Sequence, residues 1–162
     1  MAPRQGGSRD RNDKVAVTVS PPSTAVRAQM SAEQKDLAMS YSAAWARHDP
    51  DAIVAMHTED TIFHMHGMAE PAIGAAATRD AIAALFVQAP DISFQRKTAY
   101  FGEGHIVTEY VVSGTVDGVP FACDGVDVFQ IRDGRIARKD TYLDTVAYQR
   151  QLGVDLATTK AT

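Results

Sequence analysis

The sequence predicts an α+β domain in which three helices pack on one face of a curved antiparallel sheet and close off a pocket. Three observations predict it. Helical patterning dominates as far as Gln88. After Pro90 four alternating segments, "ISFQRKTAYF", "HIVTEYVVSGTV", "PFACDGVDVFQI" and "RIARKDTYL", follow one another through the short turns "GEG", "DG" and "RDG". Helices first and strands last is the order that gives segregated layers, and a sheet curled over helices can enclose an apolar pocket.

The elements follow in order. Residues 1–29 are rich in Gly, Ser, Pro, Arg and Asp with few large apolar side chains, and read as a disordered, mildly basic tail. Asp10 and Asp13 argue against a mitochondrial transit peptide, and "VAVTV" is too short for a signal-peptide core. In "SAEQKDLAMSYSAAWARHD" Ser31 and Gln34 have capping-box spacing, and Leu37, Tyr41 and Trp45 form one helical stripe. "DPDAIVAMH" restarts a helix, with Asp49 as N-cap and Pro50 at its first position. "TIFHMH" reads as a short strand, "GMAEPAIGAAA" as a loop, and "TRDAIAALFVQ" as a third helix capped by Thr78. After the four strands, "DTVAYQRQLG" turns into a short helix ended by Gly153. The domain is expected over residues 30–155, with a short tail over 156–162.

Composition narrows the function. Apolar residues make up 45% and charged residues 22% of the 162, as in a globular protein with a proper core. A net charge of −4 leaves out the basic footprint of a nucleic-acid binder. No apolar run approaches the roughly 18 residues that span a bilayer. Cys123 has no second cysteine to pair with, which fits a reducing, cytoplasmic compartment.

Asp127 is the sharpest chemical signal. In "CDGVDVFQI" it shares the more apolar face with Cys123, Gly125, Phe129 and Ile131. A carboxyl there is either satisfied by backbone amides or an Arg, or kept neutral so that it donates a hydrogen bond. Tyr41 is either a core tyrosine with a wet tip or a hydroxyl reaching the same pocket. His64, His66 and Glu70 have H-x-H-x3-E spacing, which would suit Fe, Zn or Ni, but the capped helix that follows speaks against a cupin and so against a metal. Either histidine serves as readily as a lone hydrogen-bonding group or base. Asp140 is expected to pair with a neighbouring Arg or Lys, and Asp144 to point back into the pocket from a strand-to-helix corner. Arg138, Lys139 and Glu109 are expected at the surface. His48, His57 and His105 fall at helix ends or turns and carry no functional weight.

The span from "YSAAWARHDPDAIVAMHTED" through "FHMHGMAEPAIG", "GVDVFQIRDGRI" and "DTYLDTVAYQRQLG" resembles the NTF2-like superfamily, and within it the SnoaL-like polyketide cyclases and isomerases. The resemblance covers about residues 32–153 and implies a cone-shaped fold, commonly a homodimer. Beside ketosteroid isomerase, the oxyanion-hole tyrosine falls on Tyr41 and the protonated aspartate on Asp127. The isomerase's base falls near Met65, leaving His64 or His66 to substitute. The catalytic residues of limonene-epoxide hydrolase fall near Tyr110, Val112 and Thr141, which discounts that chemistry. Beside the polyketide cyclases, Asp144 with Gln151, Leu152 and Gly153 resembles the segment that supplies their catalytic aspartate. The resemblance thus implies a cofactor-free enzyme for an apolar carbonyl compound, polyketide, terpenoid or steroid-like. Proton abstraction by Asp144 or His64, with Tyr41 and Asp127 holding the enolate, would lead to cyclisation, isomerisation or dehydration. Trp45, Phe63, Phe121 and Phe129 would line the pocket. The alternatives are a non-catalytic NTF2-like binding module and a metal-dependent enzyme using His64, His66 and Glu70.

Overall fold

A computed structural model describes residues 24–154, with side chains from Ala32 onward. The expectations for residues 1–23 and 155–162 lie outside the described residues. Helix α1 (Thr24–Ala46) is followed by α2 (Pro50–Val54), β1 (His57–Met65), β2 (Ala72–Ile73) and α3 (Ala75–Gln88). Then come β3 (Ser93–Gly102), β4 (His105–Val116), β5 (Val119–Arg132), β6 (Arg135–Leu143) and α4 (Thr145–Gln151). The six strands form one sheet in the order β2-β1-β6-β5-β4-β3. The meander β3 to β6 is antiparallel throughout, whereas β1 joins β6 in parallel. The α+β cone expected from the sequence is thus present, its sheet completed by one parallel pair.

The inner stripe of α1 is Gln34, Leu37, Ala38, Tyr41, Ala44 and Trp45, all buried or half-buried at helical spacing. Gln34 Nε2 donates to the Gly102 carbonyl at 2.9 Å and ties α1 to the end of β3. Helix α1 starts at Thr24, so Ser31 lies inside it instead of capping it. Asp49 caps α2 as expected, accepting from the Ala52 amide at 2.9 Å. Thr78 does not cap α3. Gly74 stands at that N-cap, Ala75–Ala77 extend the helix backward, and Thr78 is fully buried within it. The two Asp-Gly turns have positive φ at both residues (Asp117 and Gly118, Asp133 and Gly134), the backbone that matches the twist of a tight hairpin.

These hairpins set the register of β5. Asp127 lies opposite Thr108 on β4 and Thr141 on β6, and Gly125 lies opposite Tyr110 and Leu143. Gly125 is required by space. A Cβ there would stand 2.6 Å from the Tyr110 ring and 2.7 Å from Leu143 Cδ2. With no side chain at Gly125, the Tyr110 ring crosses β5 and brings its hydroxyl to Asp127. Gly125→Ala should therefore cost about 1–3 kcal/mol, as overpacking does, with a matching fall in denaturation midpoint. A midpoint equal to wild type would mean that the ring is free to move away.

Candidate active site

A cavity of about 550 Å3 opens between the inner face of α1 and the concave face of the sheet. Its walls are apolar, from Leu37, Ala38, Trp45, Phe94, Ile106, Phe129 and Ile136. Its polar side chains include Tyr41, Arg96, Thr108, Tyr110, Asp127 and Lys139.

Lys139 overturns one expectation. It is only 3% exposed, not a surface residue. Its position on β6, opposite Phe129 on β5 and Phe63 on β1, turns it inward. Its Nζ lies 3.0 Å from Asp127 Oδ2. It also lies over four rings, 4.7 Å from the centroid of Trp45, 5.2 Å from Phe63, 5.6 Å from Tyr41 and 5.7 Å from Phe129. Ring faces attract a cation, and most strongly where water is excluded. Burial opposes the Lys139 charge, but the Asp127 carboxylate and the surrounding groups outweigh it, and its pKa stands above the ordinary lysine value.

Asp127 is correspondingly not a neutral donor. Oδ1 accepts from the Tyr110 hydroxyl at 2.9 Å and from Thr141 Oγ1 at 2.7 Å, while Oδ2 faces the ammonium. Both oxygens act as acceptors, the arrangement that suits a carboxylate. The partner is a lysine, where the sequence suggested an arginine or backbone amides.

Behind Tyr41 lies a second polar group. The Tyr41 hydroxyl is 3.1 Å from His57 Nε2, His57 Nδ1 is 2.9 Å from Thr61 Oγ1, and Thr61 Oγ1 donates to the Ile136 carbonyl at 3.2 Å. His57 is the buried first residue of β1, not a turn residue without weight. Burial first, and the Lys139 charge second, lower its pKa to about 3, so it is neutral at pH 7. Burial also raises the Tyr41 pKa, against the opposing pull of Lys139.

The remaining expected residues divide. Trp45 and Phe129 line the cavity with Tyr41 and Asp127. Phe63 and Phe121 instead line a smaller cavity of about 50 Å3 beyond Trp45 and Lys139. Asp144 is exposed, and its carboxylate caps α4 by accepting from the Ala147 amide at 2.9 Å, so it does not point into the pocket. His64 lines neither cavity. Its ring packs on His66 at 3.7 Å, and His66 stacks on Tyr142 at 4.3 Å. Glu70 is exposed and does not join the two histidines. Asp140 does, with candidate ligand atoms of His64, His66 and Asp140 within 4.8 Å of one another. Arg138, half-buried where a surface position was expected, holds both Asp140 oxygens at 2.6 and 2.8 Å, and His66 Nε2 lies 2.7 Å from one of them. These bonds keep the Asp140 pKa below the ordinary carboxylate value, Arg138 contributing most. An arginine thus already neutralises the carboxylate that a metal would need. Glu109 is half-buried.

The cone and its cavity define an NTF2-like fold, and solved structures of that fold superpose on the chain. A protein of ketosteroid isomerase-like fold from Catenulispora acidiphila is 20% identical over 76% of this chain and 97% of its own, with a TM-score of 0.69. An NTF2-like protein of unknown function from Burkholderia pseudomallei is 15% identical over 74% and 96%, with a TM-score of 0.68. A protein provisionally named a SnoaL-like polyketide cyclase, from Shewanella putrefaciens, is 17% identical over 75% and 96%, with a TM-score of 0.67. Residues 38–139 match the SnoaL-like domain family, and the chain belongs to it. No curated protein matches the sequence. Likeness at these identities establishes the fold and leaves the chemistry to the site.

Proposed function

We propose that the chain binds an apolar carbonyl compound in the large cavity and catalyses proton transfer next to its carbonyl without a cofactor. The observation that carries this reading is the Asp127–Lys139 ion pair lining an apolar cavity of about 550 Å3. Lys139 has three N–H donors and, among the described residues, one polar partner, Asp127, so it can also bind a ligand oxygen. Asp127 is the one carboxylate lining the cavity among the described residues, and it serves as the base. It takes a proton from the carbon beside the carbonyl. The C–H electron pair forms a C=C bond, and the carbonyl π pair moves onto oxygen, giving an enolate held by Lys139. Negative charge leaves Asp127 and reappears on the ligand beside the same ammonium, so the buried site keeps its net charge throughout. A preorganised cation in a dry site favours that transition state. Return of the proton to another carbon gives an isomer; attack of the enolate carbon on a second carbonyl forms a C–C bond and an alkoxide, which takes the proton back from Asp127 to give a ring. In this scheme Asp127 and Lys139 take the roles that the sequence suggested for Asp144, His64 and Tyr41. The cytoplasmic location that the lone cysteine fits, and the homodimer implied by the resemblance, belong to the same proposal.

A second reading has its own observation. Tyr110, Thr141 and Lys139 already satisfy both Asp127 oxygens. A buried pair so complete would equally serve a binding module with no reaction. Exchange of the α-protons of 2-tetralone in D2O, followed by NMR, separates the two. The enzyme reading predicts saturable acceleration over buffer that Asp127→Asn abolishes. Saturable tetralone binding with exchange at the buffer rate would leave only the binding module.

A further inference from the structure

The hydroxyl of Tyr41 would ordinarily be counted as a donor toward a bound oxygen. Its surroundings say otherwise. The Ile136 carbonyl can only accept, so the Thr61 proton lies on that bond, and Thr61 Oγ1 must accept from His57 Nδ1. A neutral His57 protonated at Nδ1 has a bare Nε2, and that atom accepts the Tyr41 proton across 3.1 Å. The Tyr110 proton is committed in the same way, to Asp127. Both tyrosines lining the cavity therefore have only lone pairs left to offer a ligand.

We infer that His57 is a positioning residue that makes Tyr41 a hydrogen-bond acceptor, so that the site selects ligands whose oxygen both accepts from Lys139 and donates to Tyr41: enols, phenols and hydroxy-carbonyl compounds. This rests on the reading that Lys139 marks the place of the ligand's oxygen. His57 does not line the cavity and acts only through the direction of the Tyr41 proton. A simple ether or ketone offers no proton to the Tyr41 lone pair that faces the cavity, and a buried acceptor left without that partner weakens binding. Without His57, the Tyr41 hydroxyl is free to turn and donate, and the preference disappears.

The test uses 2-naphthol and its methyl ether, 2-methoxynaphthalene, at a pH where the naphthol is neutral. Quenching of Trp45, the only tryptophan in the chain and part of the cavity wall, reports binding. Wild type should bind the naphthol about tenfold more tightly than the ether, the order of one hydrogen bond. In His57→Leu the ratio should fall to near one, mainly because the ether gains. Tyr41→Phe should lose the ratio as well, and it serves independently if His57→Leu does not fold. Equal binding of the two ligands by wild type would overturn the inference and leave the ligand site standing. A preference that survives in both variants would be steric rejection of the methyl group and would also overturn it. Binding of neither compound by wild type would overturn both the inference and the ligand site on which it rests.

Discussion

Asp127→Asn, although nearly isosteric, is expected to destabilise the protein by about 3–5 kcal/mol, the cost of leaving one member of a buried ion pair alone. Lys139 is then an ammonium with 3% exposure and no counter-ion, and four aromatic rings do not replace a carboxylate at 3.0 Å. Lys139→Met should cost a similar amount from the other side. The informative protein is the double variant. Asp127→Asn/Lys139→Met removes both charges, keeps an oxygen to accept from Tyr110 and Thr141, and keeps the volume of the lysine stem. Its stability should return to within about 1–2 kcal/mol of wild type, because a neutral pair avoids the desolvation that an ion pair must offset. Urea denaturation of the four proteins checks this. Additive losses in the double variant would show that the two residues do not act as a pair.

The second large effect is on acid stability. His57 has a pKa of about 3 in the folded chain against 6.5 in the unfolded one. Between these values the unfolded chain binds a proton that the folded chain refuses. Stability contributed by the neutral histidine is therefore fully present above pH 6.5 and is lost as pH falls toward 3. The loss amounts to roughly 5 kcal/mol over the whole interval, from 1.36 kcal/mol for each unit of pKa difference. Asp140 adds an acid-side loss of the same sign but later, beginning near the ordinary carboxylate value, because its folded pKa is depressed. His57→Leu should flatten the dependence of unfolding free energy on pH between about pH 6 and pH 4 and leave the steeper region below it. An unchanged slope in that window would mean that His57 accepts a proton in the folded protein.

Much of the scaffold was legible because it rests on local patterns. The i, i+4, i+8 stripe of Leu37, Tyr41 and Trp45 put α1 against the core. Period-two alternation put Asp127 on the inner face of β5, and the Asp-Gly turns fixed the meander. The α1 start was missed because a capping-box motif at Ser31 does not stop a helix when good helix formers precede it. The parallel β1–β6 pair was invisible because it joins segments that are distant in sequence. The start of β1 was hidden by polar residues: a register shift between His57 and Ile62 leaves Glu59 and Asp60 exposed while His57 and Thr61 stay buried.

The site was half legible. Tyr41 and Asp127 were read as inward-facing and both line the cavity, but their partners were not foreseen, since Lys139 and His57 reach them only through the tertiary fold. A signal for Lys139 was present. Period-two reading of "ARKDTYL" puts it on the same face as Ala137, Thr141 and Leu143. The presumption that lysine is exposed overrode that pattern. Asp144 failed for a different reason. A carboxylate just before a helix can point into a pocket or cap the helix, and here it caps α4.

The Asp127–Lys139 pair is proposed as the polar centre of a ligand site and not only a structural bond. Binding of 2-tetralone and of its parent hydrocarbon tetralin, measured by quenching of Trp45, tests it most directly in wild type and in Asp127→Asn/Lys139→Met. Wild type should favour the ketone by about tenfold, the order of a hydrogen bond to a charged group, and the folded double variant should bind both compounds alike. An equal ketone preference in the two proteins would contradict it.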